Sequence, residues 1–141
     1  MRYFCTKTRN KMDRKVLSTG AILGMIAIIL GAFGAHALKK ILSIEQLATF
    51  ETGVRYQMYH ALFLLFIGLI KNMPQKAKKA IYFLVLFGVI LFSGSIYLLA
   101  TNNLTPFDFK IIGFVTPIGG LLLIMAWMVL LLNIMNKKSQ I

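Results

Sequence analysis

Two histidines and one short polar run hold most of the chemistry this sequence could perform. His60 closes the string Tyr56-Gln57-Met58-Tyr59-His60, and His36 stands in Gly34-Ala35-His36-Ala37. Imidazole near neutral pH can carry a proton, ligate a metal or bridge two helices by hydrogen bonds. Ser93, Ser95 and Thr116 add hydroxyls. Glu51 precedes Arg55 by four residues, the favourable acid-before-base order, worth about 0.2–0.5 kcal/mol on an exposed helix. None of these residues forms a nucleophile–base arrangement. Gly119-Gly120 lies in an apolar run and is no phosphate loop. A metal centre built from His36, His60 and Glu51 would lack any ligand-spacing signature. Cys5 is the single cysteine, which excludes an intramolecular disulfide and a thiol metal site. The expectation is no enzyme, no cofactor and no metal centre.

The elements that position these residues are membrane helices. The chain has 141 residues, enough for one domain, and is 58% hydrophobic with only 14% charged. Its mean hydropathy of +0.76 places lipid among its solvents. Four apolar runs follow one another at 16–38, 54–70, 80–100 and 111–134. A helix needs about 20 residues to cross a hydrocarbon core of about 30 Å. Backbone polar groups cannot stay unpaired in lipid, so each run must be helical. The second run is the shortest. Ser43-Ile44-Glu45-Gln46 before it has the capping-box form, predicting an interfacial helical segment over 44–53. The fold class is therefore all-α, a polytopic four-transmembrane-helix bundle over 16–136, with a basic leader at 1–15 and a tail at 137–141.

Charge orients the spans. The net charge of +12 comes from 16 Lys and Arg against 4 Asp and Glu. By segment the balance is +5 over 1–15, +1 over 39–55, +4 over 71–79, zero over 101–110 and +2 in the tail. Basic residues between apolar runs orient a membrane protein rather than bind nucleic acid. Both termini are expected in the cytoplasm. Ala35-His36-Ala37 resembles a signal-peptidase site, but the apolar stretch before it exceeds the usual length and three more runs follow. Met12-Asp13-Arg14-Lys15 is itself a sufficient basic flank, so a start at Met12 fits the same orientation.

Small residues set the expected packing. Gly20, Gly24, Ala27, Gly31, Gly34 and Ala35 fall within about one third of the first helix's circumference. Gly20–Gly24 and Gly31–Ala35 have small-xxx-small spacing, which lets backbones approach. Gly113, Thr116 and Gly120 share a face of the fourth span, and Gly88 and Ser95 one of the third. Pro117 is expected to kink the fourth helix.

Polar residues of all four spans converge on the outer half: His36; Glu51, Arg55, Tyr56, Gln57, Tyr59 and His60; Ser93, Ser95 and Tyr97; Thr116. The plainer role for each is structural, an interhelical hydrogen bond worth about 0.6 kcal/mol or, for Glu51 and Arg55, an interfacial ion pair. The sharper role is a ligand or proton site, since ionisable groups in membranes mark such sites.

The strings Gly31-Ala-Phe-Gly-Ala-His-Ala-Leu38, Tyr56-Gln-Met-Tyr-His60, Phe92-Ser-Gly-Ser-Ile-Tyr97 and Thr116-Pro-Ile-Gly-Gly120, with Trp127, resemble the YgdD/YwdK-like family of small bacterial inner-membrane proteins. The resemblance covers about residues 12–136 and implies four spans in a bacterial plasma membrane. It implies no reaction, ligand or partner. Three functions stay open: a non-enzymatic protein packing with itself or a membrane partner, a small ion or solute transporter or channel subunit, and an intramembrane enzyme. With only four spans and no internal repeat, transport would call for a homo-oligomer.

Overall fold

The computed structural model describes residues 10–136, so the tail and the first nine residues of the leader, Cys5 among them, lie outside the described residues. Four helices form the bundle: α1 Lys11–His36, α2 Ile44–Leu69, α3 Gln75–Ala100 and α4 Val115–Asn136. Single 3-10 turns occupy Leu38–Lys40, Asn102–Leu104 and Phe109–Ile112. The described residues contain no strand.

Local chemistry explains where the helices begin. The Asn10 side chain accepts from the Met12 N–H, so α1 starts before the apolar run and takes in the end of the basic leader. At α2 the capping box forms in full: Ser43 N–H donates to Gln46 Oε1 at 3.0 Å and Gln46 N–H donates to Ser43 Oγ at 3.2 Å. From there α2 runs unbroken for 26 residues, the length of α1 and α3. The expected interfacial segment is thus the first turns of α2, not a separate element. At α4 the chain first makes the 3-10 turn capped by Asp108, and the helix proper begins only at Val115. Pro117 therefore falls in the first turn, where its missing N–H breaks no intrahelical bond.

α1, α3 and α4 with their adjoining turns are long and apolar enough to cross a membrane. α2 stands outside that set because its first two thirds carry Glu45, Gln46, Glu51, Arg55, Gln57 and His60. Packing is serial: α1 lies on α2, α2 on α3 and α3 on α4, while α1 and α4 form no comparable interface. The main core joins Val16, Leu64, Ile67, Ile81, Val85, Leu123 and Ala126. A smaller one joins Leu38, Leu42, Phe50 and Ala100 at the opposite end from the termini.

Glycines set the close approaches. A Cβ on Gly20 would lie 3.0 Å from the Ala61 carbonyl, and one on Gly34 3.2 Å from the Phe50 ring. Gly24 and Gly31 face Ala61 and Val54 at ordinary contact distance. These pairs fix an antiparallel register in which the start of α2 lies beside the end of α1. On α3, Gly88 faces Leu123, and Gly120 of α4 faces the Phe92 ring at 3.5 Å. Ala35 is exposed and Gly113 precedes α4, facing only the Lys110 carbonyl. The tightest contact belongs to Gly119, where a Cβ would lie 2.4 Å from the backbone N of Phe92.

At the end that carries the termini, Lys78 of α3 is fully buried. Its ammonium donates to Asp13 of α1 and, at 2.7 Å, to the carbonyl of Ile70 just after α2. One side chain thereby joins three helices.

Candidate functional site

The polar residues expected to form one cluster separate into interior and surface groups. In the interior, Gln57 is buried on α2. Its Nε2 donates to the Leu23 carbonyl of α1 at 2.9 Å, and its Oε1 accepts from the Tyr97 hydroxyl of α3 at 2.8 Å. Nearby, buried Ser93 donates to the Gly53 carbonyl at 2.8 Å. This group is a three-helix clasp.

His60 belongs to a second group. Its Nδ1 lies 2.8 Å from the Tyr56 carbonyl, one turn earlier on α2. The Trp127 Nε1–H of α4 donates to His60 Nε2 at 3.3 Å. A carbonyl on one side and an N–H donor on the other specify the neutral ring protonated on Nδ1. Trp127 also stacks on Phe63, with centroids 4.2 Å apart. Trp127 is thus His60's partner, and the sequence offered it only as part of the family resemblance. A third pairing joins α3 to α4: the Ser95 and Thr116 hydroxyls lie 2.6 Å apart, and Ser95 Oγ also donates to the Phe92 carbonyl at 3.0 Å.

The surface group is different. His36 is exposed at the end of α1, and Tyr56 and Tyr59 are exposed on α2, where the Tyr56 ring packs 5.1 Å from that of Phe92. Glu51 and Arg55 are both more than half exposed, and their closest charged atoms stand 4.0 Å apart. The structure therefore brings Gln57, Tyr97 and Ser93 together, pairs Ser95 with Thr116, and leaves His36, Glu51 and Arg55 outside the core. Among the described residues, no buried side-chain polar atom lacks a hydrogen-bond partner. Nor do three His, Cys, Asp or Glu side chains meet there in a way that could hold a metal.

Because Gln57 serves two other helices at once, Gln57→Leu is expected to cost about 1–3 kcal/mol by stranding the Tyr97 hydroxyl and removing the bond to the Leu23 carbonyl. Tyr97→Phe should cost nearer 0.6 kcal/mol, about the average for one interhelical bond in a membrane. Unfolding by SDS in mixed micelles would measure both, and equal costs would contradict the clasp.

Two concavities stand out, and neither is lined by these interior groups. One, of about 300 Å³, lies at the termini end between Ile70, Asn72, Met73, Leu130 and Asn133. The other, of about 430 Å³, is an apolar groove between α1 and α2 with Gly20 and Gly24 in its wall.

A bundle of four helices, three of them with their adjoining turns long and apolar enough to cross a bilayer, defines an integral membrane protein of the all-α class. The chain belongs to the DUF423 family of proteins of unknown function, whose family model matches residues 30–120. It is 42% identical over 114 residues to a UPF0382 membrane protein of Staphylococcus saprophyticus, covering 81% of this chain and 91% of that one. Against the UPF0382 inner membrane protein YgdD of Escherichia coli it is 36% identical over 131 residues, covering 91% and 95% of the two chains. No solved structure matches it.

Proposed function

We propose that this protein is a non-enzymatic, four-span protein of the bacterial plasma membrane, with both termini cytoplasmic, that works through its lipid-facing surface by engaging lipid, its own copies or a membrane partner. The observation that carries this is the closure of the interior: Gln57, His60, Ser93, Ser95 and Tyr97 all bond to protein atoms. A conducting or catalytic interior needs polar groups free to meet a solute, and these are occupied. Four crossings are supported by direction. α1 and α3 run the same way, so the chain must return across the bilayer through α2. The basic residues Lys11, Arg14, Lys15, Lys71, Lys76 and Lys79 gather at one end, which supports a cytoplasmic position for that end. Lys15 there lies 5.2 Å from the Tyr82 ring centroid, a cation–π contact suited to the interface.

Flux measurements test this directly. Proteoliposomes loaded with a pH-sensitive dye are expected to leak protons and monovalent cations no faster than empty vesicles. A flux that His60→Ala or Gln57→Leu abolishes would instead make the protein a transporter.

A further inference from the structure

We infer that the α1/α2 groove is a seat for one phospholipid whose headgroup carries both a phosphate and a cationic amine, as in a phosphoethanolamine lipid. The inference rests on the four-span, surface-acting function proposed above and names the ligand of that surface.

The geometry begins with α2. Residues 51, 55, 58, 62 and 65 recur at helical spacing and share one face of it. Met58, Leu62 and Leu65 line the groove, and across from them α1 supplies Gly20, Gly24, Met25, Ile28 and Ile29. Glu51 and Arg55 continue the α2 side of the same face toward the outer end. On α1 the face of Met25 and Ile28 continues through exposed Ala32 to exposed His36. An apolar trough thus runs down from a mouth that carries one acid, one guanidinium and one imidazole.

Register fixes the depth of that mouth. Gly34 meets Phe50 and Gly31 meets Val54. Arg55 therefore sits about 10 Å below the end of α1, and Glu51 about 4 Å below it, by helical rise. Cα–Cβ bonds point toward a helix's N-terminus, which for α2 is the outer end, so Arg55 reaches up to the headgroup layer. A single cation there would suit any anionic lipid. The pair does not. At 4.0 Å its members are too far apart for a hydrogen bond, so the guanidinium keeps its donors for a phosphate and the carboxylate its oxygens for an ammonium. Charge complementarity thus selects a zwitterionic headgroup, and the trough below takes an acyl chain.

The test uses the full-length protein, delipidated in mild detergent and titrated with dioleoyl phosphoethanolamine lipid, dioleoyl phosphoglycerol lipid or inorganic phosphate, with bound copies counted by native mass spectrometry. The expected result is saturable binding of the phosphoethanolamine lipid about tenfold tighter than of the phosphoglycerol lipid, and none of phosphate alone. Arg55→Gln should weaken both lipids about tenfold, whereas Glu51→Gln should remove the preference and leave binding. Both side chains are exposed, so these changes remove no packing. Gly24→Leu is independent of charge: Gly24 has room for a Cβ, with its nearest neighbour at 3.7 Å, and the leucine would fill the trough and displace the lipid. Equal retention of the two lipids, uptake that does not saturate, or disulfide crosslinking of Met25→Cys between copies in native membranes would overturn the proposal. None of these outcomes would change the flux result, so the two conclusions fail separately.

Discussion

Asp13→Ala is expected to destabilise the bundle by about 3–5 kcal/mol, although Asp13 lies outside the apolar spans. The reason is Lys78, which is fully buried and finds in the Asp13 carboxylate its one opposite charge among the described residues. Removing the acid leaves an ammonium in a dry site with only the Ile70 carbonyl to answer it. Lys78→Met should cost less, because Asp13 keeps some exposure and stands in the first turn of α1, where the helix dipole favours an anion. The double variant should recover most of the loss, since replacing both members of a buried pair spares the uncompensated charge. Trp127 is the only tryptophan and, though half exposed, stacks on the buried Phe63, so its fluorescence follows unfolding in mixed SDS micelles. Strict additivity of the two single changes would show that the ion pair does not couple the helices.

Gly119→Ala is the smallest change with a comparably large expected effect. The added methyl would meet the backbone of α3, at 2.4 Å from the Phe92 nitrogen and 2.8 Å from the Leu91 carbonyl carbon. Backbone cannot rotate aside as a side chain can, so α3 and α4 must separate and give up contacts around Leu123 and Ala126. Overpacking of this kind costs about 1–3 kcal/mol. Separation should also lengthen the Ser95–Thr116 and Trp127–His60 contacts, which a blue or red shift in Trp127 emission would report. The neighbour Gly120→Ala is the control: its Cβ would meet only the Phe92 ring at 3.5 Å, so little change is expected. A Gly119→Ala protein as stable as the parent would mean that the α3–α4 crossing is looser than the contact implies.

Much of this fold was legible because lipid leaves the backbone few choices. Four apolar runs had to be helices, the Ser43–Gln46 box marked where α2 starts, and the glycines of α1 fell on one face. Rotation of α4 was not legible. That helix is apolar all round, so no periodicity selects the face that packs, and the face expected from Gly113, Thr116 and Gly120 leaves out Gly119, which makes the tightest contact. Lys78 was hidden for another reason. Among four lysines in one short segment, it counted as orienting charge, and only the approach of Asp13 from another helix gives it a buried role. The polar residues were identifiable by type, since each is expensive in lipid. Their sorting into clasp, His60–Trp127 pair and surface mouth depends on helix rotation by one or two residues, which spacing along a single helix does not contain.

Serial packing has a consequence for how the protein is made. Helices arrive in the membrane in order, and each finds a packing partner in the helix just inserted. The α1–α2 hairpin can close before α3 is synthesised, and contacts of low sequence separation form with little loop entropy to overcome. The contacts of Asp13 with Lys78 and of Thr19 with Tyr82 skip α2 and form when α3 arrives, whereas the bond from Trp127 back to His60 skips α3 and must wait for the end of the chain. Assembly is thus a ratchet of neighbouring hairpins, with one late bond to mark that the last helix has docked.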